Sequence, residues 1–100
     1  MEIKGKIIKV MEPITGQGKK GPWAKQEFIL EQPGQYPKPV SISLWGDQKI
    51  TDYDLEPGLE VTAYVDIESK ENNGRWYTEI RAWKIHWNAQ QIRKWEPKTN

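Results

Sequence analysis

One hundred residues make a single domain, on a prior of roughly 100 to 200 residues apiece, and leave no room for a second. Leu, Ile, Val and Phe supply 20 residues, and 15 Lys and Arg nearly cancel 14 Asp and Glu, a balance that argues against disorder. Cysteine is absent and the one histidine is His86. Thiol catalysis, cysteine zinc sites and histidine relays are thereby excluded, and no cofactor, metal or enzymatic activity is expected.

The chain opens Met1-Glu2-Ile3-Lys4-Gly5, which is not a basic then apolar signal segment, and no stretch nears the ~18 apolar residues of a membrane span. A cytoplasmic protein without membrane contact is the expectation. Six Trp and four Tyr stand against one Phe. Trp and Tyr are favoured where one end of a ring stays wet, so some of these rings are expected to serve a surface.

In chain order, residues 2–10 alternate Lys with apolar residues and slip register at Ile7-Ile8, predicting a first strand with a bulge near Gly5. Residues 12–22 hold three Gly and two Pro and read as a mobile loop. A second strand over 23–32 puts Ala24, Phe28 and Leu30 on the core side and Trp23, Lys25, Glu27 and Ile29 outside. A third, around 40–45, buries Val40, Ile42 and Leu44 and exposes Ser41, Ser43 and Trp45. Asp47 is placed to cap a short helix before Glu56-Pro57-Gly58 stops it. The fourth strand has Val61, Ala63, Val65 and Ile67 inward, and Asn72-Asn73-Gly74 turns it back into a fifth over 75–85. There Ile80 and Ala82 share one parity, Trp76 with them, and Tyr77, Glu79, Arg81 and Trp83 share the other. Trp87, Ile92 and Trp95 can form one apolar face of a terminal helix that Pro97 ends.

Three strands, a short helix and a two-stranded hairpin follow the order of the OB-fold, an all-β, five-stranded Greek-key barrel that binds oligonucleotides and oligosaccharides. The SH3-like barrel, the competing topology, does not normally carry a helix between its third and fourth strands. The domain is expected over residues 1–86, with 87–100 a C-terminal helix or tail.

In such a barrel the outward residues of the second, third and fifth strands form one wall, bordered by the loops after the first and fourth strands. The candidate binding residues are therefore Lys19, Lys20, Trp23, Lys25, Trp45, Arg75, Trp76, Tyr77, Arg81 and Trp83. Flat rings among cations match single-stranded nucleic acid, whose bases and phosphates alternate. The acids Asp52, Asp54, Glu56, Glu60, Asp66, Glu68 and Glu71 crowd into residues 51–71 and are expected behind the wall, leaving a bipolar molecule despite a net charge of +1. Each residue also has a plainer reading: a Trp can cover a core edge, and Lys19 and Lys20 can be ordinary solvated loop charges. Gly16-Gln17-Gly18-Lys19-Lys20-Gly21 matches a dinucleotide-binding string but lacks the strand before and helix after it that the signature requires.

The strings Met1–Lys6, Lys25–Phe28, Tyr36-Pro37, Ser43–Asp47 and Asn73–Trp83 together resemble a family of small bacterial and phage proteins. That family has long been labelled a domain of unknown function, is grouped with OB-folds and looks like single-stranded-DNA-binding proteins. The likeness spans about residues 1–85. It implies one OB domain in a bacterial cytoplasm, in some cases phage-encoded, with Lys25, Trp45, Arg75, Tyr77, Arg81 and Trp83 inside the motif strings and Trp23 two residues before one of them. Single-stranded DNA is the implied partner and RNA a second candidate, with a role in replication or recombination. Replicative proteins of this type usually carry an acidic recruiting tail. This chain ends Trp95-Glu96-Pro97-Lys98-Thr99-Asn100, so recruitment by a tail is not expected. The alternative function is an OB-fold module for protein–protein interaction or self-association without nucleic-acid binding, with Trp87, Ile92 and Trp95 as the contact between copies.

Overall fold

A computed structural model describes residues 1–87. Its elements are β1 (Glu2–Val10), β2 (Ile14–Gly18), β3 (Gly21–Gln32), β4 (Lys38–Trp45), α1 (Asp47–Tyr53), β5 (Glu60–Asn72) and β6 (Arg75–Trp87). The β-sheet runs β1-β5-β6-β4-β3-β2, and an additional β1–β3 pairing closes five of the six strands into a barrel. Every pairing in the barrel is antiparallel except the β4–β6 seam, where Ser43 faces Arg81 and Leu44 faces Ala82. This is the expected OB topology. No helix among the described residues is long and apolar enough to cross a membrane.

The core follows the period of two. Phe28, Leu30, Ile42, Leu44, Ala63 and Val65 are fully buried, joined by Ile3, Ile7, Val61 and Ala82. Ile50 of α1, with Leu55 and Leu59 after it, closes one end. The segment after α1 is fixed to β1 where Gly58 N–H donates to Ile7 O (2.7 Å) and Ile7 N–H to Leu59 O (2.8 Å). The Phe28 side chain is the largest with essentially no exposure, and truncating such a ring costs about 3 to 5 kcal/mol.

Several local expectations are corrected. Residues 12–22 are no mobile loop: Ile14–Gly18 pairs with Gly21–Lys25 in a hairpin whose tip is Lys19-Lys20. The β1 irregularity falls between Ile7 and Lys9, not at Gly5, as the strand passes from pairing with β5 to pairing with β3. Asp47 is the first residue of α1 instead of its cap. Gly46 caps it at φ +110°, a left-handed corner that a side chain would strain, and makes no side-chain cap bond. Ile67 is half exposed, because β5 and β6 run on past the barrel as a free two-stranded arm. The arm ends at Asn73-Gly74, both at positive φ, the type I′ turn that its sequence predicts.

One irregularity re-aims the last strand. Tyr64 pairs with Lys84 but Val65 pairs with Ala82, so Trp83 is an extra residue in β6. The inward parity moves from Ile80 and Ala82 to Ile85, which is buried and which the unbroken alternation did not place in the core. The Ile85 N–H donates to the Tyr53 hydroxyl of α1 (3.2 Å). His86 and Trp87 belong to β6, and the Trp87 ring packs on Tyr53 at 5.2 Å. Ile92, Trp95 and the rest of the expected terminal helix lie outside the described residues.

Candidate nucleic-acid interface

The outward sides of β3, β4 and β6 bring Trp23, Lys25, Trp45 and Arg81 together. Lys25 lies directly across from Trp45 in the β3–β4 register, with its ammonium 5.4 Å from the indole centroid. Trp23, two residues back on β3, sets its ring 5.7 Å from that of Trp45 with the planes at 48°. From the other side, across the parallel seam, the Arg81 guanidinium stands 4.4 Å from the Trp45 centroid. Each such cation–π contact contributes about 0.5 to 2 kcal/mol, depending on how dry it is. Trp45 is thus the hub of the row.

Ser43 and Glu79 fix that hub. Ser43, expected on the outside, is buried beneath the row and its hydroxyl donates to Glu79 Oε2 (2.8 Å). The Trp45 indole N–H donates to the same oxygen (2.9 Å), with Ser43 Oγ also in reach at 3.1 Å. Arg81 Nη2 donates to Glu79 Oε1 (3.2 Å). Burial raises the carboxyl pKa, but hydrogen bonds from Ser43, Trp45 and Arg81 and the Arg81 charge outweigh it, so Glu79 stays ionised below its ordinary value. The sequence shows Glu79 on the parity of Tyr77 and Arg81, yet no pattern reveals that one carboxylate holds three donors.

Gly16 is the other residue the site needs. It pairs with Trp23 across the β2–β3 hairpin, and a β-carbon there would run into the Trp23 ring. The indole therefore packs against bare backbone. Beside it a cleft of about 800 Å³ opens between β2, Trp23, Trp45 and the Gly46-Asp47 corner.

The remaining candidates spread outward. Lys19 and Lys20 are exposed at the β2–β3 tip. On the arm, Tyr77 is half exposed with Arg75 5.8 Å from its ring centroid, on the face that carries Glu79 and Arg81. Trp83 joins a different neighbour: its bulge brings its ring 5.6 Å from Tyr64 of β5, whose ring has Lys84 at 5.6 Å. Trp76 shares the inward parity expected of it but is 68% exposed, because the arm carries it past the core. It faces Glu71 and lies with Ile67 on the opposite face of the arm from Tyr77.

The acids do not all stand behind the wall. Asp66 pairs directly with Arg81, and Glu68 with Glu79, so β5 lays two carboxylates alongside the row on the same face. Sequence clustering misplaces them because strand register, not position in the chain, decides which residues are neighbours. The wall is a mixed field with a negative border.

No curated protein matches the sequence. Among solved structures, the chain is similar to the SSB domain of a Synechococcus sp. protein at 17% identity and TM-score 0.60, covering 86% of this chain and 91% of that one. It is similar to a deletion mutant of the Thermus aquaticus single-stranded DNA binding protein at 12% identity and TM-score 0.64, covering 99% of this chain but 43% of that one. It is also similar to a small single-stranded DNA-binding protein from Streptomyces coelicolor, at 13% identity and TM-score 0.52, with 91% and 94% covered. At these identities the likeness is one of fold. The profile that matches residues 2–86 is that of the Domain of unknown function (DUF3127), and the chain belongs to this family.

Proposed function

We propose that this domain binds single-stranded DNA without strong sequence selection and carries out no chemistry of its own. One observation carries the reading: the Trp23–Trp45–Arg81 row, continuous across three strands and held by Glu79 and Ser43. A base stacks on an indole or on a guanidinium plane with little regard to its identity, contributing about 1 to 3 kcal/mol. Lys25 beside the row, Lys19 and Lys20 at the hairpin tip, and Arg75 with Tyr77 on the arm would hold the phosphates and the next base. Trp83, with Tyr64 and Lys84, would extend the track toward β5. The neighbours of similar fold are named as single-stranded-DNA-binding proteins, which favours the same ligand here. A part in replication or recombination in a bacterial or phage setting would follow from that activity.

Because Asp66 and Glu68 border the row, few phosphates are neutralised and the salt dependence is shallow for a DNA binder. Tryptophan fluorescence titrated with oligo-dT at low and high salt tests the reading. Stacking quenches the emission and salt weakens the binding. Absence of quenching at high concentrations of both overturns it. A second reading, protein–protein contact or self-association, is favoured by Trp76 and Ile67, exposed together on the other face of the arm. An oligo-dT-independent rise in sedimentation coefficient with protein concentration would support that one.

A further inference from the structure

Beside the stacking row, the cleft between β2 and the β4–α1 corner has a lining of its own chemistry. Trp23 and Trp45 form its apolar side with Pro22 and Ala24, and Gly46 brings no side chain to fill it. Its polar lining is Thr15, Gln17 and Asp47, and among the described residues Asp47 is the only charged one lining it. The cations assigned to phosphate do not line it: Lys19 and Lys20 stand at the tip, Lys25 beside Trp45 and Arg75 on the arm, and the stacking guanidinium of Arg81 is likewise outside. Among the described residues the Asp47 carboxylate has no hydrogen bond or ion pair, so its lone pairs are open.

A phosphate is repelled from such a place and a flat, uncharged ring is not. The edge of a ring that meets a carboxylate does best by presenting an N–H donor; a carbonyl oxygen there meets another acceptor. We infer that this cleft takes a nucleobase with an exocyclic amino group, as in cytosine or adenine, and that Asp47 accepts from that amine while the ring lies against tryptophan. The inference rests on the DNA-binding reading and adds to it a preference: one position of an otherwise tolerant track favours bases that carry an exocyclic amine over bases that lack one. Composition gives no hint of this, since Asp47 reads from the sequence as a helix cap.

The test compares 15-mers of dC and dU, pyrimidines of equal ring size that differ at C4, amino against keto, and at N3, which carries a proton only in dU; the purine pair below differs by the amine alone. In fluorescence titrations at one salt concentration, the wild-type protein is expected to bind dC about fivefold to tenfold tighter, the worth of one good base-edge contact. Asp47→Asn, whose amide offers a donor as well as an acceptor, brings the ratio close to one. Asp47 is exposed, so this variant keeps the fold. A matched pair of purine oligomers, dA against deoxynebularine, which lacks the amino group, is expected to show the same preference and the same loss in Asp47→Asn. Equal binding of dC and dU by the wild type, or a preference unchanged in Asp47→Asn, overturns the inference and leaves the DNA-binding reading standing. Failure of every oligomer to bind overturns both.

Discussion

The centre of the wall and the arm that projects from it carry similar residues, rings beside cations, in opposite states of preparation. At the centre, Trp45 has both hydrogen-bonding and stacking partners: Glu79 and Ser43 on its N–H, Arg81, Lys25 and Trp23 about its ring. On the arm, Tyr77 has Arg75 near its ring and Trp76 is more than two-thirds exposed. A ring already fixed in place gives up little rotamer freedom when a base lands on it, whereas ordering a free side chain costs about 0.5 to 1.5 kcal/mol at the moment of binding. Equal ring area should therefore yield unequal affinity. The comparison teaches that counting aromatics on a surface is a poor guide to which ones bind.

The sharpest break of this comparison is Trp45→Leu, which keeps apolar bulk and removes the hub. Oligo-dT affinity is expected to fall about tenfold to a hundredfold, since Arg81 loses its platform along with the lost stack. Tyr77→Leu on the arm should cost only a few-fold. Equal losses in parallel titrations would mean that preparation is irrelevant.

Gly16→Ala probes the centre without replacing any ring. The new methyl displaces the Trp23 indole, so binding is expected to weaken about fivefold, the lower end of one stack, while the melting temperature barely changes. A large fall in melting temperature with affinity unchanged would instead assign Gly16 to the fold.

Glu79→Gln tests what holds the hub. The folded-state pKa of Glu79 is lowered, so the charged form contributes stability that is fully present above the unfolded value near 4.5 and is lost as the pH falls through the lowered one. The carboxylate is about one-third exposed and its ion pair with Arg81 is screened by solvent, which limits the contribution to under about 1 kcal/mol. Urea melts should show wild type above the variant at pH 7, with the gap closing below pH 4.5. A gap that persists at low pH would point to shape, not charge. Smaller again, removing both tip cations in Lys19→Ala/Lys20→Ala should flatten the slope of log affinity against log salt by at most about 1.4, two contacts at about 0.7 each for a single strand.

What the sequence disclosed depended on how local the cause was. The inward Ile42 and Leu44 of β4 and the Asn73-Gly74 turn are decided within a few residues and were legible outright, whereas the burial of Ser43 was not. So were Trp23, Lys25, Trp45 and Arg81, whose parity alone places them outward on adjacent strands. The β2 strand was hidden because Gly and Pro disfavour a strand on average, while here Gly16 is required by a ring from the strand opposite. The bulge at Trp83 was hidden because one inserted residue changes every later parity without altering composition. The Ser43–Glu79–Trp45 bonds depend on atoms that meet only once β4 and β6 are side by side.

The smallest expected effect separates the two faces of the arm itself. Trp76 and Tyr77 are adjacent in sequence, and in an extended strand adjacent side chains point to opposite sides, so a strand of DNA lying along Arg81 and Tyr77 passes beneath the backbone from Trp76. Trp76→Ala should leave oligo-dT affinity within about twofold, less than one stacked base is worth. Its own emission, more exposed than that of Trp45, should be quenched by acrylamide but not by DNA. If Trp76→Ala costs as much as Trp45→Leu, the chain of bases must cross the arm's edge and use both faces. The arm would then be a clasp closed by its ligand, and the advantage of the prepared centre would have to be sought in association rate instead of affinity.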